Sequence, residues 1–181
     1  MAEHNDSGPS TVAFRDAVAL RQIDEFWMSR ALELARAAGA AGEVPVGAVI
    51  VARSGAQERG VELAAAGNTR ERSHDPCGHA EIAAIRDAAR QRADWRLDGC
   101  EIFVTLEPCA MCTGALVLAR ISRCVFAAPD PKGGFCGSLG RLHEHPGLNH
   151  RFEVVGGVME EQSAAELRSF FRSLRSPRPR S

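Results

Sequence analysis

With 181 residues, 45% of them hydrophobic and 25% charged, the chain has the composition of one globular domain, and no apolar run is long enough to cross a bilayer. Its net charge of −1 gives no compositional reason to expect a nucleic-acid partner. The start, MAEHNDSGPS, has neither the basic residues nor the apolar stretch of a secretory signal, which predicts a cytoplasmic protein whose six cysteines (77, 100, 109, 112, 124 and 136) are thiols or metal ligands rather than a disulfide framework.

Residues 1–22 mix Gly, Pro, Ser and charge without a period and read as a mobile, dispensable extension before a single domain over 23–176. From Asp24 to about Ala38, Trp27, Ala31, Leu34 and Ala38 recur at helical spacing, with Phe26 and Met28 widening the stripe. VPVGAVIVA (44–52) and VELAAAG (61–67) read as two strands of a hairpin. NTRERSHDPCG (68–78) is a polar loop, and HAEIAAIRDAARQR (79–92) a helix with Ile82, Ile85 and Ala89 on one side. Next come a strand (100–106), a buried helix (109–120) and a strand (123–128).

The stretch from Pro129 to His150 is loop-rich, with five glycines; FEVVGGV adds one more strand, and a last helix spans about Glu160 to Leu174. Strand and helix alternating after a hairpin predicts an α/β layer arrangement on a mixed sheet, with no repeat and no second domain. Between Leu167 and Ser181 stand five arginines and no acid, ending in a basic flexible tail over 177–181. Such a segment can meet phosphates or simply be solvated.

The chemistry concentrates in two short stretches. In PCAMC, Cys109 and Cys112 are spaced i, i+3 at a helix start, on one face, where unpaired N–H groups favour the thiolate that binds metal. Alone, the pair is equally well two buried cysteines acting as small hydrophobes. In HAE, His79 adds an imidazole at a second helix start, and two thiolates with one imidazole leave the fourth tetrahedral position of a zinc ion open, as in catalytic rather than structural sites. Glu81, two residues on, reads either as a first-turn acid complementing the helix dipole or as a proton shuttle. Zinc lowers the pKa of bound water from 15.7 to about 7, so the set suits hydrolytic attack on an electron-poor carbon, with Glu81 passing protons to a departing amine. H-x-E with P-C-x-x-C is the known signature of the zinc nucleobase deaminases.

Beyond that signature, EVPVGAVIV (43–51), HDPCGHAEI (74–82), VTLEPCAMCTGAL (104–116), DPKGGFCGSL (130–139), HPGLNHRFEV (145–154) and SFFRSLR (169–175) make the chain resemble the bacterial tRNA-specific adenosine deaminases. The resemblance runs from about Phe26 to Arg175 and implies a homodimer of three-layer α/β/α subunits of the cytidine deaminase-like fold, with a central mixed β-sheet and one zinc (Zn2+) each. It implies deamination of the wobble adenosine of a tRNA anticodon stem-loop to inosine, with His79, Cys109 and Cys112 as ligands and Glu81 as shuttle. By position, Asn68 matches a base or ribose contact, Val44 lines the base pocket, and Asp130, Lys132, His145, Phe171 and Arg172 match the RNA side. Each has a structural alternative: Asn68 a turn residue, Asp130 a loop cap, Phe171 a core residue and Arg172 a surface charge. With no tyrosine in the chain, Phe, His and Arg would have to stack on bases.

Two rival readings remain at this level. One is a deaminase of free bases or nucleosides on the same fold. The other is a noncatalytic zinc module in which Cys77 or His74 fills the fourth position. The GGFCGSLG run lacks the G-x-G-x-x-G form of a nucleotide-binding loop.

Overall fold

The computed structural model describes residues 11–53 and 59–175, with side chains from residue 18 onward; residues 1–10 of the expected extension and the tail at 177–181 lie outside the described residues. Helix α1 spans Thr11–Ala40, β1 Gly47–Ala52, β2 Val61–Gly67, α2 Arg70–Ser73, α3 Ala80–Arg92, β3 Cys100–Leu106, α4 Ala110–Leu118, β4 Arg123–Ala128, β5 Glu153–Val155 and α5 Glu160–Arg175. No helix among the described residues is long and apolar enough to cross a membrane.

The five strands form one sheet in the order β2-β1-β3-β4-β5. β1 is antiparallel to both β2 and β3, while β3, β4 and β5 run parallel, so the sheet is mixed. Side chains alternate across a strand, and both faces here are covered. Ala48, Ile50, Ile102, Val104, Cys124 and Phe126 pack with Ala80, Ala84 and Ala88 of α3 and Leu116 and Val117 of α4. Val49, Val51, Phe103, Val125 and Ala127 face Trp27, Met28 and Ala31 of α1. That two-sided burial is why β1, β3 and β4 read as nearly continuous apolar runs, and it gives the three-layer α/β/α architecture.

Two expectations are corrected at the N-terminal helix. It begins at Thr11 rather than near Asp24, so residues 11–22 are helical, with the side chains of 18–22 exposed. Phe26 does not widen the core: it is 46% exposed, edge-on to Trp27 and beneath the Arg59 guanidinium, while Leu32 and Ala35 fill the buried stripe instead. α1 lies against β1 so closely that a Cβ at Gly47 would sit 2.2 Å from the Ala31 carbonyl oxygen, which is why only glycine fits there. At the start of β4, Arg123 donates from Nη1 and Nη2 to the two Asp24 carboxylate oxygens at 2.8 and 2.7 Å, both side chains being buried.

The segment read as a polar loop before HAE contains the single turn α2, and the glycine-rich stretch contains a 3-10 turn, Leu142–Glu144. There His143 is buried against Phe152, with Nδ1 unpartnered and Nε2 3.7 Å from Glu144. Burial lowers its pKa against the opposing pull of Glu144, Arg141 adding to the lowering. A histidine harder to protonate folded than unfolded binds fewer protons in the native state, so stability is expected to fall as pH drops through the unfolded value of about 6.5. Urea titrations between pH 7.5 and 5 check this: His143→Phe should show a flatter pH dependence than the parent, and parallel curves would rule the histidine out.

Candidate active site

The ends of β2, β3 and β4 and the segment leading into β1 meet at one end of the sheet, around a cleft of about 710 Å³. Into it open the starts of α3 and α4. His79 is the N-cap residue of α3 and Cys109 that of α4, yet neither side chain makes a capping hydrogen bond. They turn toward each other instead. His79 Nδ1 lies 3.7 Å from Cys109 Sγ and 3.4 Å from Cys112 Sγ, and the three ligand atoms fall within 4.8 Å of one another. Tetrahedral zinc, with Zn–S near 2.3 Å and Zn–N near 2.0–2.1 Å, sets sulfur and nitrogen roughly 3.6 Å apart, so the donor set and its spacing fit zinc. Neither His74 nor Cys77 joins this group among the described residues, so no fourth side chain closes it.

The electrostatics favour a thiolate. The Cys109 thiol is pulled down to about 4, first by the hydrogen bond from Cys112 and, against burial, by His79. Cys112 moves up, through the same hydrogen bond and its own burial. His79 is raised, chiefly by its contact with Cys109. Glu81, in the first turn of α3 and only 4% exposed, has its carboxyl raised by burial, and it lines the same cleft.

Of the residues expected from sequence, the cleft is lined by Val44, Asn68, His79, Glu81, Cys109, Asp130, Lys132 and Phe171, with Cys112 buried beneath. His145 and Arg172 are not in that lining. His145 is exposed and its Nδ1 accepts the Gly147 N–H at 3.2 Å, while Arg172 is on the exposed side of α5. Phe171 is 44% exposed and forms part of the wall, not the core.

Arg168 and Arg175, placed by the sequence only in a basic segment able to meet phosphates, line the cleft with Phe171. Residues 168, 171 and 175 are spaced by three and four and therefore share one helix face; residue 172, four from 168 and three from 175, borders that face and lies outside the lining. That periodicity was the available signal. Two buried carboxylates also went unseen. Glu43 precedes Val44 and accepts N–H groups from Asn68, Glu71 and Arg72. Glu107 accepts backbone N–H groups of Asp130, Cys136 and Ser138 at 3.0, 3.0 and 2.9 Å, and the Ser138 hydroxyl as well. Burial would raise the Glu107 carboxyl, but these donors outweigh it and hold it below the ordinary range. A Cβ at Gly134 would lie 2.2 Å from the Glu107 carboxyl carbon, so the loop wraps the carboxylate at a distance only glycine allows.

Comparison with known proteins places this site in context. The zinc-binding region of cytidine and deoxycytidylate deaminases matches residues 21–128. The chain is 45% identical over 152 residues to a tRNA-specific adenosine deaminase of Bacillus subtilis strain 168, covering 84% of this chain and 91% of that one. It is 43% identical over 149 residues to a tRNA-specific adenosine deaminase of Agrobacterium fabrum, covering 82% and 94%. Among solved structures, one from biochemical and structural studies of A-to-I editing by tRNA:A34 deaminases at the wobble position of transfer RNA superposes with a TM-score of 0.72 at 42% identity, covering 77% of this chain and 97% of that one.

Proposed function

Because the chain belongs to the tRNA-specific adenosine deaminases, within the cytidine and deoxycytidylate deaminase zinc-binding family, we propose that it hydrolyses the wobble adenosine of a tRNA anticodon loop to inosine and ammonia, as a homodimer with one zinc per subunit. The observation that carries this reading is a three-ligand His79, Cys109 and Cys112 set with the buried Glu81 carboxyl in the same cleft. The same reading implies a cytoplasmic location.

His79, Cys109 and Cys112 would hold the ion, and bound zinc supplies Lewis acidity that makes water a nucleophile at neutral pH. Glu81 does the proton work: it takes one proton of the attacking water and hands it to the ring nitrogen, then takes the second from the hydroxyl now on C6 and delivers it to the amine, so that the C6–N bond breaks with loss of ammonia. Burial raises its carboxyl, which suits a group that must both accept and give a proton. Val44 packs against the base, and Asn68 offers its amide to base or ribose.

Lys132 and Arg70 at the rim, with Arg168 and Arg175 beside Phe171 on α5, supply positive charge and a ring face for an RNA loop. In this reading Asp130 also faces the RNA, with His145 and Arg172 reaching it outside the cleft. An anticodon loop presents its bases already unpaired, which reduces the cost of extruding the target. Two exposed apolar side chains outside the cleft lining, Leu118 at 75% and Leu139 at 54%, support coverage by a second copy.

The test incubates the zinc-loaded protein with an anticodon stem-loop carrying a wobble adenosine, and separately with free adenosine, cytidine and guanine. Inosine in the stem-loop is the expected product. Turnover confined to the free compounds would overturn the proposal in favour of a free-base or nucleoside deaminase.

A further inference from the structure

Glu43 is the most deeply buried carboxylate at the cleft, its side chain 0% exposed, and it contributes no wall of its own. It stands immediately before Val44, in the turn between α1 and β1. Oε2 accepts an Asn68 Nδ2 hydrogen at 3.2 Å and the Glu71 backbone N–H at 3.1 Å; Oε1 accepts the Arg72 N–H at 2.7 Å, with Arg72 Nε 3.8 Å away. Thr69, the N-cap residue of α2, makes no side-chain cap, so the carboxylate of a residue 28 and 29 positions earlier satisfies those helix-start donors in its place. Burial would raise the Glu43 carboxyl, yet the donors from Arg72 and Glu71 outweigh it and keep it ionised.

An ionised carboxylate accepts hydrogen bonds and donates none. Facing it, the Asn68 amide has one orientation: Nδ2 toward Glu43, because Oδ1 there would oppose acceptor to acceptor. Glu43 is the partner of that amide among the described residues, and Asn68, 7% exposed, lines the cleft. We propose that Glu43 is a positioning residue that sets the amide polarity of Asn68, and so determines which hydrogen-bonding atoms the deaminase offers to its substrate nucleoside. It also ties the start of α2, which carries the rim residue Arg70, to the same anchor. The inference rests on the reading of Asn68 as a substrate contact.

A double-mutant cycle with the zinc-loaded full chain and an anticodon stem-loop separates the two ideas. Glu43→Gln keeps the shape but replaces one acceptor with a donor, so the Asn68 amide loses its single preferred orientation. Glu43→Gln and Asn68→Ala are each expected to lower kcat/KM on the order of tenfold, the size of one hydrogen bond to a charged group. The double variant should be no worse than Asn68→Ala alone, with zinc content unchanged. Losses that multiply in the double variant would overturn the positioning role, since Glu43 would then act independently of Asn68. A silent Asn68→Ala would instead remove Asn68 from the substrate contacts and leave the proposal without its basis. Should Glu43→Gln not fold, Glu43→Asp, which keeps the charge but withdraws it by one methylene, takes its place in the cycle with the same criteria.

Discussion

Glu81→Gln is expected to lower kcat for stem-loop deamination by about 10²–10⁴-fold, the usual contribution of a positioned general acid–base. The glutamine fills the same buried volume but cannot take a proton from water or return one to the amine. Because Glu81 lies outside the His79, Cys109 and Cys112 group that could hold the ion, metal content measured by atomic absorption should stay at the parent level. KM should change little, since the lost interaction acts on the transition state rather than on bound substrate. A variant within tenfold of the parent kcat would remove Glu81 from proton transfer, and a variant that lost its zinc would make the residue structural.

The largest stability effect is expected at the other end of the sheet. Asp24→Ala leaves the buried Arg123 guanidinium facing Glu101 at 3.5 Å and the exposed Glu153 at 3.6 Å, without its bidentate partner. Breaking a buried pair from one side costs about 3–5 kcal/mol, which for a chain of this size lowers Tm by roughly 6–20 °C. Replacing both partners, with Arg123→Met added, should recover most of the loss because no unpaired charge remains buried. The exposed Arg21 and Glu25 pair makes the contrast: its removal should cost under about 1 kcal/mol. Since Arg123 opens β4 and the cleft lies beyond the end of that strand, activity at low temperature should survive in the folded fraction. Thermal melts of the three variants decide this; an Asp24→Ala melt within 2 °C of the parent would refute the account.

The difference between what the sequence revealed and what it hid follows the range of each interaction. The grouping of His79, Glu81, Cys109 and Cys112 was legible because their chemistry is carried by side-chain type at helix starts, where i, i+3 spacing sets the two cysteines on one face and H-x-E with P-C-x-x-C forms a recognisable signature. The sheet was legible from β1, β3 and β4, whose two-sided burial writes itself as nearly continuous apolar runs. Glu43 and Glu107 were not, because their partners are mostly backbone N–H groups 23 to 31 residues away, and a backbone donor leaves no mark on residue identity. Asp24 and Arg123 are 99 positions apart and look like any two surface charges until the fold joins them. Phe26 and Phe171 show the converse limit: helical spacing of apolar residues places them on a face without saying whether that face meets a core, solvent or a cleft.

The knot around Glu107 has a thermodynamic consequence for recognition. The rim that presents Asp130 and Lys132 hangs from one carboxylate by several short donors, so its conformational freedom is surrendered when the polypeptide folds and not when RNA arrives. Association on that side therefore keeps its contact free energy undiminished by loop ordering. The opposite wall differs: on α5, Ser163 is the buried residue, fastened through its hydroxyl to the Thr105 carbonyl, and the rest of the helix stays in solvent contact. On the proposed RNA reading, shape selection would fall to the Glu107 side, while the arginine-bearing side offers exposed cations to the backbone.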